Sequence, residues 1–243
     1  MALKADASRY FLGYIWWILE PLLFVGVFYV VFNVILDSGR ADFLVFLMCG
    51  KLPFVWFSKS VAQASNSIVA NAGLIGRIDI PKSLFPMAII QEGLYKQAAV
   101  FALLIAVLLV YGYQPSLSWL WLLPIIFVNY LMIVGCAFLG SILVCFMRDF
   151  SMLISLGMIF LMFTSGIFWD VRALADPSMI NLILVLNPMA FILDAYRQVL
   201  MENVAPDIIH LTIVAIVSAL LVWVMNWLLN RSSKWLALKA LTA

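Results

Sequence analysis

Long apolar runs constrain the fold of this 243-residue chain more than any other feature. A helix needs about 20 consecutive, mostly apolar residues to cross a bilayer. Because 66% of the residues are hydrophobic and only 11% are charged, a soluble enzyme, a nucleic-acid binder and a disulfide-stapled secreted domain are excluded. The sequence predicts an all-α integral membrane protein with one transmembrane domain over residues 1–243. Its six predicted spans lie at about 12–36, 43–64, 89–111, 119–146, 151–169 and 208–229.

The lysine and arginine residues are distributed unequally between the two sets of loops. The two termini, the loop between the second and third spans and the loop between the fourth and fifth spans carry eight of them. The opposite side carries three, namely Arg40, Arg172 and Arg197. Cytoplasmic loops carry the excess of lysine and arginine in membrane proteins. Both termini are therefore predicted to be cytoplasmic.

Two short apolar helices are predicted on the outer side, between the fifth and sixth spans. Asp176-Pro177 and Asn187-Pro188 each place an N-cap residue before a proline at the first helical position. The helices that follow, over about 177–201, are too short to span a bilayer. They are either amphipathic helices on the membrane surface or a re-entrant pair that plugs a pathway from outside. Asp194 and Arg197 lie three residues apart, a spacing that favours an ion pair on one helix face.

The predicted cytoplasmic loop from Asn71 to Pro86, called the coupling segment below, mixes charged and apolar residues. Glycine and proline interrupt it at Gly73, Gly76 and Pro81. It is either a tight connector with an interfacial face or a docking element for a soluble partner.

Ionisable and aromatic residues inside the spans admit two interpretations each. Lys51, two residues before Pro53, is interpreted as a snorkelling lysine at the outer end of the second span. Glu20 is expected to face the bundle interior or a water-filled cavity, because a carboxylate in hydrocarbon is costly. The numerous aromatic residues form an interfacial belt or stack on the sugar rings of a polysaccharide in a channel.

Known nucleotide-binding and catalytic motifs are missing from the sequence. It contains no P-loop, since Gly50-Lys51 is followed by leucine and lacks the upstream glycine. The three cysteines lie in apolar runs without metal-ligand spacing. The chain is therefore predicted not to be an enzyme, with no catalytic, cofactor-binding or metal-binding residues of its own.

Five sequence blocks, in order along the chain, resemble the permease subunits of bacterial polysaccharide ABC exporters, which carry O-antigen, capsule or teichoic acid. The first block, Leu12–Leu23, is similar to the LGYxW…PL signature of that family. The others are Pro53–Phe57, Asp79–Lys82, Arg148–Phe150, and Asn187-Pro188 with Tyr196-Arg197. The sequence departs from the family at Gly166, where a proline is usual, which concerns the outer shape of the channel.

The resemblance implies an ATP-driven exporter of the bacterial inner membrane that moves a polysaccharide linked to undecaprenyl diphosphate. It implies a homodimer in membrane lipid with two ATPase subunits, which bind the ATP and Mg²⁺, and no nucleic-acid partner. The ATPase-coupling residues would be Gly76, Arg77, Asp79, Pro81 and Lys82. The channel would be lined by Tyr14, Trp17, Glu20, Phe24, Phe160 and Phe163. The outer gate would comprise Asn187, Pro188, Asp194, Tyr196 and Arg197.

Two other functions remain open at this point. One is a drug or small-lipid exporter permease of the same superfamily. The other is a membrane enzyme that processes polyprenyl lipids, which would need acids or bases clustered at one membrane face, whereas the acids on the predicted outer side are scattered along the sequence.

Overall fold

The computed structural model describes residues 16–35, 42–76 and 80–242, and every regular element in these ranges is a helix. Short 3₁₀ helices cover Leu117–Trp121 and Val171–Ala173, and a π-helix at Val30–Ile35 continues the first α-helix. The α-helices are α1 (Trp16–Tyr29), α2 (Phe43–Ser65), α3 (Ser67–Ala70), α4 (Ala72–Ile75), α5 (Leu84–Val110), α6 (Leu122–Phe146), α7 (Phe150–Thr164), α8 (Pro177–Leu186), α9 (Pro188–Leu200), α10 (Ile208–Arg231) and α11 (Ser233–Thr242).

Four helices of the described chain are long and apolar enough to cross a membrane. They are α2, α5, α10 and the continuous helical stretch Leu117–Phe146, which correspond to the predicted second, third, sixth and fourth spans. The bent pair α8–α9 would make a fifth if it were one broken span. The α-helical part of the predicted fifth span has 15 residues, fewer than the roughly 20 that a straight span needs. In the predicted first span, the described helix is α1 with its π-helical continuation, over 16–35. The chain is therefore a multi-pass membrane protein, and the count of six spans stays a prediction.

The predicted fifth span is longer than the helix that forms. The α-helix ends at Thr164, and Gly166 then takes a left-handed backbone conformation with φ +70°. Glycine adopts this conformation without a Cβ clash, whereas proline is held near φ −65°. The usual proline of the family is therefore incompatible with the backbone found at Gly166.

The chain divides into two compact units. The first comprises residues 1–55, 94–122 and 163–206. Within it, every residue of α9 from Met189 to Leu200 is buried, whereas α8 has no buried residue. The 3₁₀ helix Leu117–Trp121 contacts α9. In the first unit, α9 is thus a core element and α8 lies at its surface.

The second unit comprises residues 56–93, 123–162 and 207–243. Its helices approach closely at glycines: Gly93 lies against Ser60, Gly135 against Leu221, and Gly140 against Ser65. Small residues allow such close backbone approach in membrane proteins, where packing and hydrogen bonds drive helix association. The last described helix, α11, contacts α3 and α4.

The interpretation of Lys51 as a snorkelling residue at a span end is wrong. Lys51 lies within α2, which continues through Pro53 to Ser65, and its side chain is buried. Its Nζ lies 5.9 Å from the ring centroid of Phe54 and 6.0 Å from that of Phe168. Aromatic faces attract the ammonium group, so the lysine is accommodated inside the first unit.

Gly140→Ala is expected to destabilise the protein by roughly 1–3 kcal/mol, because the new methyl group overlaps the Ser65 hydroxyl. Ser65→Ala in the same chain should recover part of that loss. Gly157→Ala on α7 is the control, since its methyl group would meet nothing within 4 Å. Unfolding in mixed micelles measures the free energies. Strictly additive effects of the Gly140 and Ser65 substitutions would contradict the close contact.

Candidate functional site

The two short helices predicted between the fifth and sixth spans are present, and their caps are confirmed. Asp176 accepts a hydrogen bond from the Ser178 N–H at 2.8 Å. Asn187 Oδ1 accepts from the N–H groups of Met189 and Ala190, both at 3.1 Å. The axes of α8 and α9 differ by 110° across this corner. Asn187 therefore starts α9 where α8 has just ended.

Asn187 also ties the start of α9 to the chain that follows α7. Its side-chain N–H group donates to Ser165 Oγ at 3.0 Å, and Ser165 is fully buried. Ser165 begins the corner segment, defined here as residues Ser165–Arg172. The corner segment is joined to α9 at two further places, so α9 is pinned to it at three points.

The second pin is the buried guanidinium group of Arg197. Nη1 donates to the Gly166 carbonyl at 2.7 Å and Nη2 to the Ile167 carbonyl at 3.0 Å. Nε lies 3.4 Å from the Phe46 carbonyl of α2. The planar, permanently charged guanidinium group presents its donors in a fixed fork, which suits several fixed carbonyl acceptors.

Close packing surrounds the Arg197 side chain. Its Cζ atom lies 3.5 Å from the centre of the Phe46 ring, a cation–π contact. A Cβ atom on Gly50 would lie 2.5 Å from Nη2, so glycine provides the space that the guanidinium group occupies. Helix α2 therefore shapes the arginine site, because Phe46 contacts the guanidinium group and Gly50 leaves the space that this group occupies.

The third pin is the ion pair between Arg172 and Asp194. Arg172 donates from Nε and Nη2 to the Asp194 carboxylate at 2.8–3.1 Å. The carboxylate is 6% exposed and also accepts from Gln198, while the Arg172 side chain is 48% exposed. The hydrogen bond to Asp194 raises the pKa of Arg172 above its ordinary value. The pair therefore consists of two charged groups, as an arginine is always protonated in proteins.

The expected ion pair between Asp194 and Arg197 within α9 is wrong. Asp194 pairs with Arg172 from the corner segment, and Arg197 bonds to backbone carbonyls. Residues three apart on a helix can meet on its surface. The side chains of Asp194 and Arg197 instead contact neighbouring segments, because α9 is buried on all sides.

Tyr196, the remaining predicted gate residue, is fully buried in the first unit. Its ring stacks on Phe101 of α5, with centroids 5.8 Å apart. Four of the five predicted gate residues thus contact segments outside α9, while Pro188 is exposed at its start, and their role in a gate stays a prediction. Helix α9 is buried within the chain and α8 is not, and the choice between a re-entrant pair and two surface helices stays a prediction.

The predicted coupling residues that the structure describes differ in their exposure. Gly76 is exposed at the end of α4, and Pro81 is exposed. Lys82 is buried, and its Nζ donates to the Ile80 carbonyl at 2.9 Å. Lys82 therefore stabilises the loop locally. Arg77 and Asp79 lie outside the described residues.

The predicted channel-lining residues that the structure describes lie on α1 and α7. Glu20 is half-buried on α1, and Phe160 and Phe163 are 68% and 54% exposed on α7. Tyr14 lies outside the described residues, as do the side chains of Trp17 and Phe24. In the described chain, no group of three or more His, Cys, Asp and Glu side chains is placed to hold a metal ion.

Comparison with known proteins agrees with a membrane permease. The chain is 31% identical to an O-antigen export system permease protein RfbA of Klebsiella pneumoniae, over 83% of this chain and 78% of the relative. It is 24% identical to an O-antigen export system permease protein RfbA of Myxococcus xanthus, over 91% and 85% of the two chains. No protein-family model matches the sequence. The chain belongs to the family of O-antigen ABC export permeases and is a transporter subunit rather than an enzyme.

Several residues that take part in these contacts escaped sequence reasoning. Ser165, Gly50 and Gln198 carry no pattern that separates them from other small or polar residues of the spans. Arg172 had a usable signal, because it is one of only three cations on the predicted acidic side of the chain. Cations that remain on the acidic side are candidates for structural ion pairs.

Arg197→Lys is expected to destabilise the protein by roughly 3 kcal/mol, because a lysine cannot serve the separate carbonyls and leaves buried acceptors unsatisfied. The matched control is Arg172→Lys, which also keeps the charge. It should cost less than about 1 kcal/mol, since the Arg172 side chain is half-exposed and a lysine still reaches Asp194. Unfolding in mixed micelles gives both values. Equal losses of unfolding free energy in the two variants would contradict the claim that backbone carbonyl groups hold the Arg197 guanidinium group.

Proposed function

We propose that the chain is the transmembrane subunit of an ATP-driven exporter that moves a polysaccharide linked to undecaprenyl diphosphate across the bacterial inner membrane. The observation that carries the proposal is the similarity, along most of the chain, to permeases named for O-antigen export. The buried, capped and pinned α9 supports it, because an exporter needs a defined structure that closes its pathway.

The proposed topology has six transmembrane helices in a single transmembrane domain, with both termini in the cytoplasm. Helices α8 and α9 form a re-entrant pair before the last span. Their lengths of 10 and 13 residues and the 110° bend support this arrangement, as does the excess of lysine and arginine in the loops placed in the cytoplasm. The caps at Asp176 and Asn187 satisfy helix-end N–H groups that hydrocarbon would leave unpaired.

The proposed channel forms between two copies of the chain. Helix α7 has no buried residue in the single chain. Its exposed face carries Leu156, Ile159, Phe160 and Phe163. Phe160 and Phe163 would contact sugar rings through their aromatic faces, as would Tyr14, Trp17 and Phe24 on the first span. Glu20 would add a polar group to the same lining. Conduction requires binding that is weak enough to release the polymer at each step.

Energy would come from two ATPase subunits that bind ATP and Mg²⁺. This chain has no P-loop, so the nucleotide chemistry belongs to the partner. The coupling segment would receive the partner's movement at Gly76, Arg77, Asp79 and Pro81, with Lys82 stabilising the loop from inside. The exposed Leu74 on α4 offers an apolar contact beside these groups.

The proposed gate is the cluster of Asn187, Pro188, Asp194, Tyr196 and Arg197. Three pins hold α9 against the corner segment, so these parts would move together when the pathway opens. Helix α8 has no buried residue, and its contact with the 3₁₀ helix Val171–Ala173 would shift when it moves relative to α9 at the Asn187 corner. This arrangement permits opening at the corner while the core of the first unit stays packed.

The experiment that tests the function is deletion of the gene in its host, followed by complementation. The deletion strain should lose surface polysaccharide and accumulate lipid-linked polymer inside the cell, and the wild-type chain should reverse both effects. Complementation should fail when the P-loop lysine of the ATPase subunit is replaced, because that lysine contacts the nucleotide phosphates.

Three outcomes would contradict the proposal. Normal surface polymer with altered drug resistance would favour a drug exporter. Normal export of a polymer with altered length or lipid linkage would favour a lipid-processing enzyme. Normal export in a strain whose ATPase subunit lacks the P-loop lysine would exclude ATP-driven transport.

A further inference from the structure

Helix α11 packs against the start of the coupling segment and against the short helix that precedes it. It contacts both α3 and α4 within the second unit. Leu236 on α11 is fully buried, as is Ile68 on α3, and Ile75 on α4 is buried as well. The neighbouring Leu238 is 67% exposed. One side of α11 is therefore part of the core of this unit, and the side that carries Leu238 is exposed.

The same helix is joined to the end of α6. The Trp235 ring stacks on Phe146, with centroids 6.1 Å apart and an angle of 26° between the planes. Lys239 Nζ lies 6.0 Å from the centre of the Trp235 ring. Phe146 is the last residue of α6 and directly precedes the loop with Arg148 and Asp149. Helix α11 thus contacts the structures that border two loops predicted to be cytoplasmic.

Helices α3 and α4 need such support. Each has only four residues, about one turn. Helices this short are not stable on their own, because nucleation is costly and few hydrogen bonds are gained. Asn71 links them without a side-chain cap on α4. Their position depends on the end of α2, to which backbone hydrogen bonds join them, and on tertiary contacts, of which α11 supplies one.

We propose that α11 is a positioning element of the energy-coupling machinery. It would hold α3 and α4, and with them the coupling segment, in the orientation that an ATPase subunit engages. Through the Trp235–Phe146 stack it would also tie that segment to α6. Helix α11 acts through the coupling segment and not by contact with nucleotide. This inference rests on the proposed function.

Leu236→Ser tests the proposal, and Leu238→Ser is the matched control on the exposed side of the same helix. The permease and its ATPase subunit are purified together and reconstituted in liposomes. Permease-dependent ATP hydrolysis and polymer export per ATP are then measured. Residues along a coupling network alter coupling by about two- to thirtyfold, and a loss in this range is expected for Leu236→Ser. Leu238→Ser should match the wild type.

Two further variants separate positioning from a general loss of structure. Leu236→Met keeps an apolar side chain of similar volume and should restore coupling. Trp235→Ala removes the stack on Phe146 from a partly exposed position, so it should lower export per ATP while leaving the amount of folded permease in the membrane unchanged. The ATPase subunit should still copurify with every variant.

The inference is overturned if Leu236→Ser and Trp235→Ala insert normally and export as much polymer per ATP as the wild type. It is also overturned if Leu236→Ser does not insert and Trp235→Ala retains full coupling. A wild-type complex that hydrolyses ATP without moving polymer would instead defeat the proposed function, so the two failures are distinguishable.

Discussion

The structure of the candidate gate depends on a guanidinium group placed among apolar helices. Arg197 is buried, and removing its charge from water is costly unless strong acceptors replace the water. The Gly166 and Ile167 carbonyls become available because α7 ends at Thr164 and the backbone turns at Gly166. The short α7, the left-handed glycine and the buried arginine therefore depend on one another.

This dependence makes α9 and the corner segment a single rigid part of the proposed gate. The pins at Asn187, Arg197 and Asp194 join α9 to a single corner segment, and a buried, fully packed helix does not deform continuously. In the proposed opening, movement takes place at the Asn187 corner, where the exposed α8 meets α9. In the proposed coupling site, the short helices α3 and α4 lack side-chain caps and pack against α11. In both proposed sites, tertiary contacts thus help to position the helices.

The sequence predicted the elements better than their contacts. Asp176-Pro177 and Asn187-Pro188 identified both helix starts, because capping is a local property of a few residues. The partner of Asp194 was wrong, because its cation lies 22 residues away in the corner segment. Lys51 was misplaced for a similar reason, since its aromatic neighbour Phe168 is distant in sequence. Charge and apolar periodicity locate spans, while pairing across segments follows only from the fold.

Cysteine accessibility tests the central claim, that α9 is a buried helix pinned into a gate. In a background without Cys49, Cys136 and Cys145, a cysteine replaces Phe191 on α9 or Val185 on α8, and a bulky membrane-impermeant maleimide is added. The cysteine at position 191 should be protected in the resting protein and become labelled when Arg197→Lys weakens the hydrogen bonds to the backbone carbonyls, while the cysteine at 185 should be labelled in both. Full labelling at position 191 in the otherwise unaltered protein would contradict the claim.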